Sequence, residues 1–105
     1  MNKSLYADII LPLALNAYYT YIIPEDLIQK VEVGSRVVVQ FGRRKHYTGI
    51  ISRIHEQKPE YPGVKPIISI PDKVPCINSF QLKLWEWMSK YYMCTMGEVM
   101  SAALP

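Results

Sequence analysis

The fold is decided by the stretch Gly34-Ser-Arg-Val-Val-Val-Gln-Phe-Gly-Arg-Arg-Lys-His-Tyr-Thr-Gly-Ile-Ile-Ser-Arg-Ile54. It contains two β-branched runs, Arg36 to Phe41 and Tyr47 to Ile54, which are joined by a short turn. Val and Ile suit a pleated, half-buried surface, and glycine accepts the positive φ that such turns need. The stretch therefore predicts a β-hairpin.

The tip of this hairpin carries three consecutive cations, Arg43, Arg44 and Lys45, beside Gly42. Three like charges on one turn repel one another unless an anion shares the space, and phosphate is the commonest such anion. The turn by itself leaves two interpretations open: a phosphate-binding loop, or a solvated basic turn that keeps the hairpin soluble.

Further strands are predicted on both sides of the hairpin. Leu5 to Leu11 and Tyr18 to Ile23 precede it, and Val64 to Ile70 follows a Pro-rich loop at 56–63. Both faces of the Tyr18 to Ile23 strand are apolar or aromatic, which is typical of a small closed or half-closed barrel.

After the strands the apolar pattern changes to a helical period. Asn78 and Gln81 predict a capping box, and Thr95 and Glu98 predict a second one. The expected apolar faces of the two helices are Leu84, Trp85, Met88, Tyr91 and Tyr92 in the first, and Met96, Val99, Met100 and Ala103 in the second. We predict a mainly β fold with C-terminal helices: a small OB-like β-barrel of about five to six strands, one amphipathic helix and a short terminal helix.

Size and composition predict a single globular domain over residues 1–105. Half of the residues are apolar and 20% are charged, and the net charge is +3. Such a mild charge allows a polyanionic partner only at a local site.

Cys76 and Cys94 have no zinc-ligand spacing and favour two reduced thiols in a cytoplasmic protein. Asp8 and Pro12 interrupt the apolar run near the start, and no small-residue cleavage site follows it, so we expect no targeting segment and no membrane association.

Catalysis is poorly supported by the sequence. It contains no phosphate-binding Gly-Lys-Ser/Thr loop, no Ser-centred elbow and no metal-ligand cluster. His46 and His55 have no obvious Cys or Ser partner, and we predict that both are surface residues.

Binding is better supported, because a barrel with aromatic residues and a basic loop is typical of single-strand-binding modules. Tyr18, Tyr19 and Tyr21 are candidates for stacking on bases, and barrel packing is the alternative.

Several short phrases occur in a specific order along nearly the whole chain. They are Leu11-Pro12, Tyr19-Thr-Tyr-Ile-Ile-Pro24, Gly34-Ser-Arg-Val-x-Val-x-Phe-Gly42-Arg43, Thr48-Gly-Ile-Ile51, Val64-Lys65-Pro, a helix with Trp85 and Tyr91-Tyr92, Gly97-Glu-Val, and Ala103-Leu-Pro105. Each phrase alone is weak, but the ordered set is specific. The chain resembles the N-terminal 3′-end DNA-binding domain of the primosomal replication-restart helicases, the PriA family.

The resemblance implies a domain that binds the 3′ terminus of the nascent DNA strand at a stalled replication fork. The parent proteins resemble ATP-dependent 3′→5′ DNA helicases that have a zinc-binding module and restart replication. No ATPase or cysteine-cluster motif lies in this chain, so we expect it to be an N-terminal piece that binds DNA and catalyses nothing. It is expected to need no cofactor itself, and ATP and zinc are implied only for the absent parts. The implied partners are DNA with a free 3′ end at branched forks and, through the parent, other primosome proteins.

The resemblance also implies a pocket for the terminal nucleotide. Its residues would be the triplet Tyr19, Thr20 and Tyr21, then Gly42, and then Lys65 before the last strand, with the basic turn Arg43, Arg44 and Lys45 beside them. Thr20 departs from the Asp that the family often has at this position. A hydroxyl repels phosphate less than a carboxylate, but it is a weaker acceptor for base N–H groups.

Lys65 is expected to reach towards the Gly42 turn, because Pro66 restricts the preceding residue to extended conformations.

The alternative function is a protein-interaction barrel that docks other primosome domains or partners, with the basic hairpin as its rim. Titration with oligonucleotides whose 3′ end is free or phosphorylated distinguishes end recognition from general charge attraction.

Overall fold

A computed structural model describes residues 4–15 and 18–104, and within them the chain forms a four-stranded antiparallel sheet followed by two helices. The strands are β1 (Tyr6–Ile10), β2 (Tyr19–Ile22), β3 (Arg36–Phe41) and β4 (Lys45–His55), in the spatial order β2-β1-β4-β3. A 3₁₀ turn at Glu25–Leu27 follows β2, and the helices are α1 (Ser79–Tyr91) and α2 (Met96–Ala103). The predicted mainly β fold with C-terminal helices, consistent with a small OB-like domain, is confirmed.

The hairpin that the opening stretch predicted is formed by β3 and β4. Their register pairs Arg36 with Ile50 and Phe41 with Lys45, so the turn between the strands is only three residues long, 42–44. Both capping boxes are also present, with Asn78 bonded to Gln81 and Thr95 bonded to Glu98.

The fifth predicted strand instead forms a short connection, residues 64–70, which we call the strap. It makes one parallel bridge from Pro66 to Ile22 on β2 and one antiparallel bridge from Ser69 to Val38 on β3. Since β2 and β3 are the two outer strands of the sheet, the strap crosses between its edges and cannot run along either one. Proline also lacks the N–H that a longer ladder would need. The barrel is therefore a half-barrel with fewer strands than the five to six expected.

Each face of the sheet contributes residues to a hydrophobic core. The second strand contributes to only one of these cores, through Tyr19, Tyr21 and Ile23, whereas Tyr18 on its other face is exposed. One face packs on the strap through a core of Ala7, Ile9, Leu11, Tyr21, Ile23, Val37, Val39, Ile51 and Ile67. The other face contributes Ile10 and Ile50 to a second core, which it shares with Ile77, Leu82, Trp85, Val99 and Met100. The strap and the helices thus cover opposite sides of the same sheet.

Close approach at Gly97 sets the position of α2. A Cβ at this residue would overlap the carbonyl oxygens of Leu11 and Leu13, in the chain that leaves β1. Glycine is required here because no side chain fits between the helix and that backbone.

The buried face of α1 differs from the prediction. Trp85 is buried as expected and Met88 packs against the second core, but Leu84, Tyr91 and Tyr92 are exposed. The helix carries two apolar stripes, and the one that contains Leu82 and Trp85 packs on the core that includes Ile10 and Ile50 of the sheet. In α2, similarly, Val99 and Met100 are buried, whereas Ala103 is exposed.

Two further expectations concern cysteines and the membrane. Cys76 and Cys94 are both free, and Cys76 is exposed. Among the residues that the structure describes, none of the helices is long and apolar enough to cross a membrane.

A hydrogen bond from Tyr21 ties the two edges of the sheet together from inside. The Tyr21 hydroxyl on β2 donates to the Gln40 carbonyl oxygen on β3 at 2.8 Å. Only 4% of Tyr21 is exposed. Burial, with smaller contributions from the neighbouring phenols of Tyr61 and Tyr19, raises the pKa of Tyr21 to about 12.

We expect Trp85→Ala to lower the free energy of unfolding by about 3–5 kcal/mol, because it removes buried contacts and leaves a cavity. Trp87→Ala is the matched control, since Trp87 lies on the same helix and is 55% exposed; we expect it to change stability by less than about 1 kcal/mol. Urea unfolding measures both. Equal stability of the two variants would contradict the assignment of Trp85 to the core.

Tyr21 also predicts a loss of stability at high pH. The unfolded chain releases the Tyr21 proton near its ordinary pKa of 10.0, whereas the folded chain holds it to about 12. The stabilisation is therefore complete below pH 10 and is lost as the pH rises towards 12, by on the order of 2–3 kcal/mol. Urea unfolding as a function of pH tests this, with Tyr21→Phe as the control, because its stability should fall less steeply. Parallel curves for the two proteins would contradict the prediction.

Candidate functional site

A cleft of about 180 Å³ lies where β2, the hairpin tip and the start of the strap meet. Its lining residues are Tyr19, Thr20, Tyr21, Gln40, Phe41, Gly42, Tyr61, Gly63 and Lys65. Five predicted site residues, from three separate parts of the chain, thus lie around one cleft. Pockets for drug-sized ligands usually measure about 300–1000 Å³, so this cleft is smaller than a typical ligand pocket.

A polar contact between two exposed residues of the cleft joins Lys65 to Gly42. The Lys65 ammonium donates to the Gly42 carbonyl oxygen at 3.1 Å. The Lys65 carbonyl oxygen accepts from the Ile22 N–H at 3.0 Å, so the backbone that carries this lysine is anchored on β2. The sequence-based expectation that Lys65 reaches the Gly42 turn is met.

Gln40 holds the turn from the other side. Its amide donates to the Gly42 carbonyl oxygen at 3.2 Å and to the Arg43 carbonyl oxygen at 2.7 Å. Gly42 has φ +82°, and a Cβ there would meet no atom within 4 Å. The turn needs glycine for its backbone conformation and not for lack of space.

The three tyrosines proposed for stacking have different environments. Tyr19 is half-buried and meets Phe41 edge to face, with the ring centroids 4.8 Å apart. Tyr21 is buried and bonded to Gln40, so its ring is not available to stack on a base. Tyr18 lines a different cleft, of about 300 Å³, whose described walls carry no charged side chain.

The Thr20 side chain points away from those of Tyr19 and Tyr21, as alternation along a strand requires. Its hydroxyl donates to the Asp8 carboxylate at 2.8 Å, and the two residues are directly opposite in the β1–β2 register. His55 Nε2 lies 2.8 Å from the same carboxylate oxygen. Asp8 therefore holds Thr20 in place. The His55 side chain is only 16% exposed, so the prediction that His55 is a surface residue is wrong.

The basic turn forms the rim of the cleft. Arg43, Arg44 and Lys45 are all exposed, and none of them pairs with a carboxylate of residues 4–15 or 18–104. They follow Gly42 directly but do not line the cleft themselves. Their positive charge is thus available to a ligand that extends outward from the cleft.

Sequence reasoning missed Asp8, Gln40, Phe41 and Tyr61. Only Tyr61 has a local signal that would have found it, because it precedes Pro62 as Lys65 precedes Pro66. The positions of Asp8 and Gln40 depend on strand pairing, which a single sequence does not specify.

Comparison with known proteins agrees with this description. Residues 8–105 match the family model described as "3'DNA-binding domain (3'BD)". The Replication restart protein PriA of Rickettsia conorii is 39% identical over 102 residues, which cover 94% of this chain and 15% of that protein.

More distant relatives carry the same name. The Replication restart protein PriA of Chlamydia muridarum is 29% identical over 105 residues, and that of Treponema pallidum is 25% identical over 104 residues. These matches cover 96% and 95% of this chain. The chain spans only 14–16% of the length of these three relatives.

Proposed function

The chain belongs to the family of 3′ DNA-binding domains of the replication restart protein PriA, and on this premise we propose that its cleft binds the 3′ terminus of a DNA strand. The terminal nucleotide occupies the cleft lined by Tyr19, Thr20, Tyr21, Gly42 and Lys65. Arg43, Arg44 and Lys45 meet the phosphates that lead up to it. Residues 1–105 act as one DNA-binding domain and catalyse no reaction.

The observation that carries this proposal is the pairing of an ammonium donor with a carbonyl acceptor inside a small cleft. A 3′-hydroxyl both accepts and donates hydrogen bonds, so it can accept from Lys65 and donate to the Gly42 carbonyl oxygen. To do so it replaces the longer bond of Gln40, which keeps its 2.7 Å bond to Arg43. A 3′-phosphate without its protons can only accept, and the carbonyl oxygen repels it.

The small size of the cleft is a second reason why it favours a terminal nucleotide over an internal one. An internal nucleotide would bring its next phosphate, in addition to its base and sugar, into a cleft of only about 180 Å³. It would also cover the Gly42 carbonyl oxygen without donating a hydrogen bond to it, at a cost of about 1–3 kcal/mol. Base stacking and phosphate contacts, in contrast, do not depend on sequence.

The wider role follows from the family. We propose that the bound terminus is that of the nascent strand at a stalled replication fork. The domain then serves as a module of an ATP-dependent 3′→5′ DNA helicase, with a zinc-binding module elsewhere in the parent, that restarts replication in the cytoplasm together with other primosome proteins.

A second candidate function, protein docking, is favoured by one surface. Phe80, Leu84, Trp87 and Tyr91 follow the outer side of α1, and all are at least 46% exposed. Met93 continues this surface, with 93% exposure and a strained φ of 54°. Exposed apolar patches of this kind are typical of protein interfaces. None of these residues lines the cleft, so both functions can coexist.

End recognition predicts that an oligonucleotide with a free 3′-hydroxyl binds about 5- to 150-fold more tightly than the same oligonucleotide with a 3′-phosphate. This range corresponds to about 1–3 kcal/mol, the cost when a polar group that the ligand covers loses its hydrogen bond. Fluorescence anisotropy titration of both oligonucleotides measures the ratio. Equal affinities would contradict end recognition and leave only general attraction to phosphates.

A pair of lysine variants sharpens this test. Lys65→Ala should weaken binding of the free end and reduce its preference over the phosphorylated end. Lys73→Ala is the control, because Lys73 has the same charge and is exposed but does not line the cleft. If both variants behave like the parent chain, Lys65 is not a site residue.

The basic turn predicts a change in salt dependence. Replacing Arg43, Arg44 and Lys45 by Ala should reduce the slope of log affinity against log salt by about 0.7–0.9 for each phosphate that the variant no longer neutralises. The control removes the same charge elsewhere, by replacing the exposed lysines 73, 83 and 90. Equal slopes for the two triple variants would show that the turn contributes only net charge.

A further inference from the structure

Tyr61 closes one wall of the cleft from the loop at 56–63. Its hydroxyl accepts a hydrogen bond from the Thr20 N–H at 3.3 Å and donates one to the Thr20 carbonyl oxygen at 3.0 Å. Both backbone groups belong to β2, which is an edge strand. The two bonds therefore fix the phenol at the edge of the sheet, although Tyr61 and Thr20 are 41 positions apart in the sequence.

The chain around Tyr61 is built to keep it there. Pro62 restricts Tyr61 to extended conformations, and Gly63, with φ +75°, turns the chain back towards the sheet. Two residues later Lys65 is anchored on β2 by its own backbone carbonyl. One short span, 61–65, thus brings an aromatic ring and an ammonium group into the same cleft.

Protection of the sheet edge does not by itself explain why the Tyr61 ring is exposed. A residue that only covered the edge would have its ring packed away, yet 47% of Tyr61 is exposed. No aromatic ring in the described part of the chain stacks on it. Tyr19 lies partly under Phe41, and Tyr21 is buried. Tyr61 therefore has the most accessible ring of the three tyrosines in the cleft.

We propose that the Tyr61 ring stacks on the terminal base of the bound strand, while Lys65 and Gly42 meet its 3′-hydroxyl. This inference rests on the proposed function and moves the stacking role from Tyr19 to Tyr61. A base–aromatic stack is sequence-tolerant, and its removal by alanine substitution weakens binding about 5- to 150-fold. Because two hydrogen bonds already hold the ring in place, binding does not have to include the entropic cost of ordering it.

The test is a cycle of four titrations. The parent chain and Tyr61→Ala each bind two oligonucleotides with a free 3′-hydroxyl, one ending in thymidine and the other in a sugar without a base. We expect Tyr61→Ala to weaken binding of the thymidine end about 5- to 150-fold. It should change binding of the end without a base by less than about twofold, because the stacking partner is already missing.

Two further variants separate the ring from its hydroxyl and from general effects. Tyr61→Phe keeps the ring but removes both bonds to Thr20, so its decrease in affinity should be smaller than that of Tyr61→Ala. Tyr91→Ala removes a tyrosine that is 65% exposed on α1, outside the cleft, and should leave both affinities unchanged.

The outcomes distinguish this inference from the function on which it rests. Equal weakening of both oligonucleotides by Tyr61→Ala would show that Tyr61 supports only the fold, and would overturn the inference. Unchanged affinities, with the parent still preferring a free hydroxyl over a phosphate, would overturn the inference alone. A parent chain without that preference would overturn the inference and end recognition together.

Discussion

Closure of the sheet by the strap is the constraint on which the rest of the structure depends. A four-stranded sheet leaves two open edges, and an exposed, unpaired edge can pair with a strand of another chain. The strap meets both edges with four backbone hydrogen bonds of 2.8–3.0 Å, two to Ile22 and two to Val38. Between these bonds Ile67, 1% exposed, fills the core beneath the sheet. Closure and core packing are therefore achieved by the same short segment.

The contacts that close the sheet also position the residues of the candidate site. The bonds that hold the strap to β2 also place Lys65 over the Gly42 turn, and the hydroxyl of Tyr61 continues the same edge at Thr20. Tyr21 links the two edges from inside. Because the polar groups of the cleft are supported by backbone contacts, they are preorganised, and little ordering cost remains to be met when a ligand binds.

The two sides of α1 show how tertiary contacts select among equivalent patterns. One apolar stripe, with Trp85, packs on the sheet and is buried, whereas the other, with Trp87 and Tyr91, remains exposed. Trp87 and Tyr91 stack on each other, with ring centroids 4.9 Å apart. Helical periodicity alone marks both stripes as apolar, and only the position of the sheet decides which one becomes core.

Local sequence was enough to predict the features that arise from neighbouring residues: the β3–β4 hairpin and both capping boxes. The ordered phrases along the chain also determined the family. Three contacts became visible only in the folded chain: the strap bridges two edges, Asp8 holds Thr20, and Tyr61 joins the cleft. Caps and turns depend on groups within about four residues, whereas each of the latter contacts joins distant segments, whose pairing no local propensity specifies.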